Sequence, residues 1–461
     1  MNCENGLACY DKANASIGAE KAYMRLKALF DNGEFNEIDR FAKLGDAGCG
    51  VVAAYGTVNG LGVYAYAQDV DANFGAMNRA QAAKIAKVYN LAMMNGCPVV
   101  SILDSKGAVA TEGVDALEAY GELIAAAGKI SGVVPQIAVI AGTCVGSAAI
   151  LASVADAVIM TKDSQFCVNS SYVTGEKAVG TAEAAAECGT VAKVCDTEAE
   201  AIGFAVALLS SLPSNNLSVA PISDYIPAEI NGIGVYASIS LIADAGSFQE
   251  LYSDFGCCAK VGFARVAGNS VGIVATDYEK NDAKLCGNGA NKIARFVRFC
   301  DAFSIPVVTL VDCAGFMGSA DDELDGSVKA VATLTGAYAE ATTAKVAVVV
   351  GKAYGAAWTA FAGKASGSDY VLATACAEIC ALEPKTAVQF LYNDRLDGTN
   401  REELENEFIM NEASAFKAAE NGLVNEIVTA DNITSKVITA LDMLASKRVN
   451  TIEKKHSNMP F

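Results

Sequence analysis

The sequence predicts an α/β protein built from two tandem copies of one domain, each a mainly parallel sheet flanked by helices. Two observations carry that prediction. The chain falls into register with itself when shifted by 208 positions: Gly60 meets Gly268, Asp69 meets Asp277, Asp104 meets Asp312 and Gly107 meets Gly315. Over the same stretch Lys84-Ile85-Ala86-Lys87 meets Lys292-Ile293-Ala294-Arg295, and Pro98-Val99-Val100 meets Pro306-Val307-Val308. One further inserted residue brings Ile137–Ala148 onto Val346–Ala357, so that Gly142 meets Gly351 and Gly146 meets Gly355. A repeat this long is a duplicated domain and not a solenoid. Within each copy, short apolar runs alternate with segments of helical spacing, the pattern of strands joined by crossover helices.

Each copy reads the same way along the chain. Val58–Ala67 and Val266–Ala275 are apolar strand pairs around a glycine turn. Residues 76–95 and 288–303 carry helical apolar spacing. Val99–Leu103 and Val307–Val311 are buried strands, each followed by Asp and a glycine turn. Helices follow at about 114–129 and 325–341, then a further apolar strand and a second glycine turn. The aperiodic, turn-rich segment Ser211–Asp224 is a linker, which sets the domains at 1–217 and 218–461. The polar stretch Lys447–Phe461 is expected over the surface or a neighbouring subunit.

Composition narrows the function classes. Of 461 residues, 52% are hydrophobic and 19% charged, enough apolar material for two cores. A formal net charge of -19 makes nucleic acid and anionic membrane poor partners for the molecule as a whole. The uncharged stretch Ile137–Ala155 approaches the length of a membrane span, but it reads as strand, glycine turn and small-residue helix. The 15 cysteines are scattered without a CxxC pair; neither Cys257-Cys258 nor Cys376 with Cys380 completes a zinc site, so no metal is expected. They read as free thiols of a reducing cytoplasm.

Two glycine turns per copy stand at strand ends, where α/β folds place ligands. The first set is Asp104-Ser105-Lys106-Gly107-Ala108 and Asp312-Cys313-Ala314-Gly315-Phe316. The second is Gly142-Thr143-Cys144-Val145-Gly146-Ser147-Ala148 and Gly351-Lys352-Ala353-Tyr354-Gly355-Ala356-Ala357, in which small residues run into a helix. Amides at such a helix start are unpaired and can stabilise an oxyanion; the plainer reading is that small residues let the helix pack closely on the sheet. Asp104 and Asp312 read first as turn-capping residues. The sole histidine, His456, lies five residues from the end, which excludes Ser-His-Asp and Cys-His mechanisms. No P-loop and no GxGxxG opening a βαβ unit is present.

Several runs resemble the biotin-dependent carboxyltransferases, such as the beta subunit of propionyl-CoA carboxylase and the alpha subunits of methylmalonyl-CoA and glutaconyl-CoA decarboxylases. They include Tyr55-Gly56-Thr57-Val58-Asn59-Gly60, Ala67-Gln68-Asp69, Leu212-Pro213-Ser214-Asn215-Asn216 and Val261-Gly262-Phe263-Ala264-Arg265. Arg295-Phe296-Val297-Arg298-Phe299-Cys300-Asp301-Ala302-Phe303-Ser304-Ile305-Pro306 and the closing Lys455-His456-Ser457-Asn458-Met459-Pro460 extend the likeness, which runs from about Arg25 to Pro460.

The resemblance implies two crotonase-like domains, an N-terminal one for acyl-CoA and a C-terminal one for biotin carried on another protein. It implies an active site shared between subunits, with two oxyanion holes, one for the thioester enolate and one for the ureido oxygen, so that biotin's own nitrogen handles the proton. Carried over by position, the catalytic residues are Gly146 and Ser147 in the first hole and Gly355, Ala356 and Ala357 in the second. Lys106, Gly107, Ala108, Gly315, Phe316 and Tyr354 are the expected substrate-binding residues. Expected partners are a biotin carrier protein, membrane decarboxylase subunits or a biotin carboxylase, and further copies of the chain, from dimer to hexamer. The expected location is the cytoplasm, or the periphery of a membrane complex.

The chain departs from the family at four places. The usual G-P-C-A-G-G-A reads Gly142-Thr143-Cys144-Val145-Gly146-Ser147-Ala148, and D-S-G-G-A-R reads Asp104-Ser105-Lys106-Gly107-Ala108-Val109. The V-D-x-P-G-F turn lacks its proline, and the segment after Val173-Thr174-Gly175 is short. The leading expectation is carboxyl transfer between an acyl-CoA and biotin, in a sodium-translocating decarboxylase complex or, as the alternative, a propionyl-CoA or acetyl-CoA carboxylase. A crotonase-type hydratase or isomerase would need a paired carboxylate base near Gly146 or Gly355. A non-catalytic scaffold would fit a decayed hole, for which Ser147 and Val109 speak.

Overall fold

The computed structural model describes residues 3–15, 18–44, 47–228, 233–397, 399–456 and 458. The chain divides into two compact units, Met1–Val219 and Ala220–Phe461. In the first, helix α1 (Glu20–Leu29) precedes strands β1 (Phe35–Ile38), β2 (Val51–Val58) and β3 (Leu61–Gln68). Helix α2 (Arg79–Asn95), β4 (Val99–Ser105), α3 (Val114–Ile130), β5 (Gln136–Val145), α4 (Ser147–Ser153) and β6 (Ala157–Thr161) follow. The unit closes with β7 (Gln165–Cys167), β8 (Lys193–Cys195) and α5 (Glu198–Ser211). The sheet order is β1-β2-β3-β4-β5-β6-β8, with β7 on the far end of β5. Pairings are antiparallel through β3 and parallel from there on.

The second unit repeats this plan with β9 (Gln249–Leu251), β10 (Ala259–Val266), β11 (Asn269–Thr276), α6 (Gly287–Ala302), β12 (Val307–Cys313), α7 (Ser327–Glu340) and β13 (Lys345–Tyr354). Strands β14 (Tyr370–Thr374), β15 (Glu378–Cys380) and β16 (Glu426–Val428) complete its sheet, in the order β9-β10-β11-β12-β13-β14-β16 with β15 on β13. The expected mainly parallel sheets with flanking helices are therefore present in both halves. Among the described residues no helix is long and apolar enough to cross a membrane. Ile137–Ala155 is divided between β5 and α4.

The central strands are continuous apolar runs because helices cover both faces of a parallel sheet. Val99, Val100, Ile102 and Leu103 are buried, as are Ile137, Ala138, Val139 and Ile140 beside them. The hairpins begin earlier than the sequence suggested, since Val58 and Val266 end their first strands. Each tip needs positive φ at two residues, Asn59 (49°) with Gly60 (78°) and Ala267 (50°) with Gly268 (79°). In both units a carboxylate anchors the tip. Asp31 accepts the Asn59 and Gly60 N–H groups at 2.9 Å each, and Asp244 those of Ala267 and Gly268 at 3.0 and 2.8 Å.

Two features differ from the sequence reading. Gly142 and Gly351 lie inside β5 and β13 and not in turns; the chain turns at Gly146 and Gly355. The helix after Gly355 is a π-turn, Trp358–Ala362, where the first unit has the α-helical α4. In the polar C-terminal stretch, Lys447 donates to the Thr343 carbonyl at 2.8 Å and to Asp369 at 2.7 Å, within its own unit. Ser457, Met459 and Pro460 of the family-like ending, and Phe461 after it, lie outside the described residues.

Gly142 and Gly351 are glycines because a carboxylate occupies the space a side chain would need. A Cβ on Gly142 would stand 2.1 Å from Asp104 Oδ1, and one on Gly351 would stand 2.3 Å from Asp312 Cγ. Gly142→Ala and Gly351→Ala are each expected to destabilise their unit by about 3 kcal/mol, read by urea denaturation. Gly203→Ala, in α5 with nothing within 4 Å of the added Cβ, is expected to stabilise by about 1 kcal/mol. Equal behaviour of the three variants would contradict the account.

Candidate active site

Both candidate turns grow from one device at the end of a parallel strand pair. Between β4 and β5 the register shifts between Leu103 and Ser105, and between β12 and β13 it shifts between Val311 and Cys313. Asp104 and Asp312 sit in those irregularities and turn their carboxylates onto the neighbouring strand. Asp104 Oδ1 accepts the Thr143 N–H at 3.2 Å, and Asp312 Oδ1 accepts the Lys352 N–H at 2.9 Å. They are thus cross-strand braces, where the sequence suggested caps of their own turns.

The environments of the two carboxylates differ. Arg25, buried on α1, donates to Asp104 at 2.8 Å, to both oxygens of Glu198 at 2.9 Å and to the Ala141 carbonyl at 3.1 Å. Lys21 adds looser contacts to the same two carboxylates, at 3.7 and 3.4 Å. Burial opposes the charge of Arg25, but Glu198 and Asp104 more than offset it and raise its pKa. Burial would raise Glu198 too; the hydrogen bond and charge of Arg25, with Lys21, hold it below its ordinary value instead. Asp312 makes no ion pair among the described residues, and burial raises its pKa against the Lys352 N–H and the Lys352 charge.

Past the brace, Gly146 (φ 64°) and Gly355 (φ 52°) reverse the chain in a conformation that a side chain disfavours. The Gly146 N–H is bonded to the Cys167 carbonyl at 3.0 Å, and that of Gly355 to the Cys380 carbonyl at 2.8 Å. Neither glycine therefore offers its own amide to a ligand; each sets the turn that aims the next one. The first-turn amides of Ser147 and Ala356 have no acceptor among the described residues. The first glycine turns supply a second amide each. In one, Met77 and Val109 bond across the Gly107–Ala108 turn and leave the Ala108 N–H with no acceptor among the described residues; in the other, Leu285 and Met317 leave that of Phe316 equally unpaired among them. Ala108 and Phe316 correspond at the 208-residue offset.

In the first unit Gly107, Ala108, Tyr120, Gly146, Ser147 and Val173 line one cavity of about 340 Å³. Lys106 lies at the edge of this turn with its ammonium 4.4 Å from the centre of the Phe74 ring. Cys144 is fully buried and burial pushes its thiol up, so it is no nucleophile. In the second unit Ala356 is exposed and Ala357 buried, so of the pair only Ala356 presents a surface. Phe316 and Gly315 are half-buried. Tyr354, expected to bind substrate, is buried, and its hydroxyl donates to Glu378 on β15. Burial and that carboxylate raise its pKa strongly. Glu378 went unnoticed because β15 is three residues long; Gln165 holds the matching position on β7. No group of three or more metal-binding side chains occurs among the described residues.

Because Glu198 is held below its ordinary value in the fold, the stability it contributes is present above its unfolded pKa, and it is lost as pH falls through the folded pKa. Acid unfolding of the wild type is expected to show this carboxylate component. Arg25→Gln should abolish it and lower the unfolding midpoint at pH 7. A variant whose midpoint parallels the wild type at every pH would refute the role given to Arg25.

Comparison with known proteins identifies the family. The carboxyl transferase domain model matches residues 13–459. The methylmalonyl-CoA decarboxylase alpha subunit of Veillonella parvula is 36% identical over 96% of this chain and 94% of its own length. The propionyl-CoA carboxylase beta chain of Cereibacter sphaeroides is 33% identical over 98% and 95%. Among solved structures, transcarboxylase 12S, a hexamer with hydrolysed methylmalonyl-coenzyme A bound, superposes with a TM-score of 0.91 at 33% identity, covering 98% of this chain and 94% of the other. The two units have the crotonase-like architecture of these carboxyltransferases. The chain belongs to the biotin-dependent carboxyltransferases, the family of acyl-CoA carboxylase and decarboxylase subunits.

Proposed function

We propose that the chain moves a carboxyl group between an acyl-CoA of the malonyl-, methylmalonyl- or glutaconyl-CoA type and biotin held on a separate carrier protein, with the N-terminal unit taking acyl-CoA and the C-terminal unit taking biotin. The observation that carries this reading is the repeated pair of unpaired amides, Ala108 with Ser147 and Phe316 with Ala356. In the decarboxylating direction the bond between the α-carbon and the carboxylate breaks, and its electron pair flows into the thioester carbonyl. The Ala108 and Ser147 N–H groups receive the resulting enolate oxygen. They need no reorganisation, because the strand ends and Gly146 already fix them. The Phe316 and Ala356 amides do the same for the second oxygen, on the ureido group. Biotin, when presented by its carrier, supplies the nitrogen that takes up the carboxyl group and gives its proton to the substrate carbon.

This route asks no side chain of this protein to act as a base, which suits a turn where Asp312 is engaged by the Lys352 N–H and Glu378 by Tyr354. A hydratase or isomerase would need a pair of carboxylates free to act as base, whereas Asp312 and Glu378 already accept hydrogen bonds from within the unit. The proposed setting is a decarboxylase that pumps sodium through membrane subunits, supported by likeness to the Veillonella parvula protein. The similar identity to a propionyl-CoA carboxylase beta chain supports the carboxylase as the second reading, with a biotin carboxylase as partner. Either way the working form is proposed to be a homo-oligomer, up to the hexamer described for transcarboxylase 12S.

The test is turnover of malonyl-, methylmalonyl- and glutaconyl-CoA by the purified protein with free biotin as acceptor, followed by CO2 release. Biotin-dependent release from one of them is expected. Ser147→Pro removes one amide at a helix position that accepts proline and should lower kcat about a hundredfold, whereas Ser147→Gly keeps the amide and the activity. Ala356→Val should also slow release. No release from any substrate, with no CoA binding by calorimetry, would overturn the acyl-CoA reading.

A further inference from the structure

The two repeats start the same helix with different chemistry. In the first unit Asn78 caps α2, accepting the Gln81 N–H at 2.8 Å, and Gly50 faces Gln81. Asparagine is an ordinary cap. At the same offset the second unit has Cys286 as the cap of α6, Cys258 in place of Gly50 and Gly289 in place of Gln81. Cys286 Sγ accepts the Gly289 N–H at 3.4 Å and lies 3.1 Å from Cys258 Sγ, which itself accepts the Cys286 N–H at 3.3 Å. Gly289 makes the room: a Cβ there would stand 2.5 Å from Cys258 Sγ. Cysteine is not a preferred cap, so capping does not explain the exchange of three residues for a sulfur pair.

Access and reactivity point the same way. Cys258 is buried, while Cys286 is part of the wall of a cavity of about 300 Å³ bounded by Gly287, Asn288, Asp325 and Ser327. The hydrogen bond from Cys258, with the amides of Gly289 and Asn288, draws the Cys286 thiol below its ordinary pKa against the effect of burial. That hydrogen bond and burial push Cys258 up. The pair therefore consists of an accessible thiolate and a buried proton-bearing partner, separated by about 1 Å more than a disulfide bond.

We propose that Cys258 and Cys286 are a reversible oxidation site, converted by a peroxide to an intramolecular disulfide and restored by a thiol. The Cys286 thiolate attacks a peroxide oxygen, the O–O bond breaks, and a sulfenic acid and hydroxide form. Cys258 then attacks the oxidised sulfur, its proton leaves with the departing oxygen as water, and the S–S bond closes. In sum two thiols and one hydrogen peroxide give one disulfide and two waters. Two thiols give back the dithiol by exchange, leaving their own disulfide. The neighbour Leu285 donates to the Gly315 carbonyl at 2.9 Å and accepts the Met317 N–H at 3.0 Å. Closing the bond thus pulls on the turn that holds the Phe316 amide. Only this link to activity rests on the proposed function.

The experiment treats the full-length protein with hydrogen peroxide, traps free thiols with iodoacetamide and maps them by mass spectrometry. A Cys258–Cys286 crosslink is expected first among the 15 cysteines, reversed by dithiothreitol. Cys258→Ser should leave Cys286 as a sulfenic acid that dimedone captures. In untreated wild type at pH 6, Cys286 should be alkylated about tenfold faster than an ordinary exposed thiol, for which Cys9 and Cys257 serve. Both sulfurs remaining free while other cysteines oxidise, or equal alkylation rates, would overturn the site. A crosslinked protein that keeps full carboxyl transfer would overturn the coupling to the Phe316 turn, whereas the crosslink itself is read without any substrate.

Discussion

The carboxylate laid across a glycine at the end of the central strand pair is the constraint on which the rest of each unit depends. A parallel sheet has no reason to stop in a defined shape, because its backbone bonds can continue as long as the strands do. The register shift at Asp104 and again at Asp312 breaks the ladder, and the side chain then takes over the bonding of the next strand's amides. The neighbouring strand must bring a residue without Cβ, and Gly142 and Gly351 meet that need. The turns at Gly146 and Gly355 and the amides beyond them inherit their positions from this contact.

Duplication shows which parts of that arrangement are obligatory. Both units keep the brace, the glycine beneath it, the carboxylate at the hairpin tip and the carbonyl strut from a three-residue strand to the turning glycine. They diverge around it. The first unit surrounds its brace with Arg25, Lys21 and Glu198; the second leaves Asp312 with main-chain support and an elevated pKa. The first caps its long helix with asparagine and the second with sulfur. The backbone geometry is therefore shared while the ionic surroundings are not.

Much of this was legible in the sequence. The alternation of apolar runs and helical spacing located the strands and long helices, and the self-match at 208 residues located the repeat, because both depend on local patterns. Gly142 and Gly351 were misplaced in turns because glycine is a turn signal; nothing local says that a carboxylate some forty residues upstream occupies the missing side chain's space. Donor availability was hidden for a related reason. Whether the amide of Gly146 or of Ser147 is unpaired depends on the Cys167 carbonyl, which a short strand brings from elsewhere. The ion cluster of Arg25, the Tyr354–Glu378 contact and the Cys258–Cys286 pair likewise join residues far apart in the chain, and no periodicity announces such meetings.

The four amides belong to the main chain, and this bears on how such a protein diverges over time. A side chain can be exchanged at positions 108, 147, 316 or 356 without deleting the donor, except by proline. Mutation can therefore reshape the walls around each amide while the donor itself persists. Ser147 is a residue of that kind, a side chain placed beside a main-chain donor that does not depend on it. A lineage can drift in the surroundings of one half while the main-chain donors of the other half stay where they are.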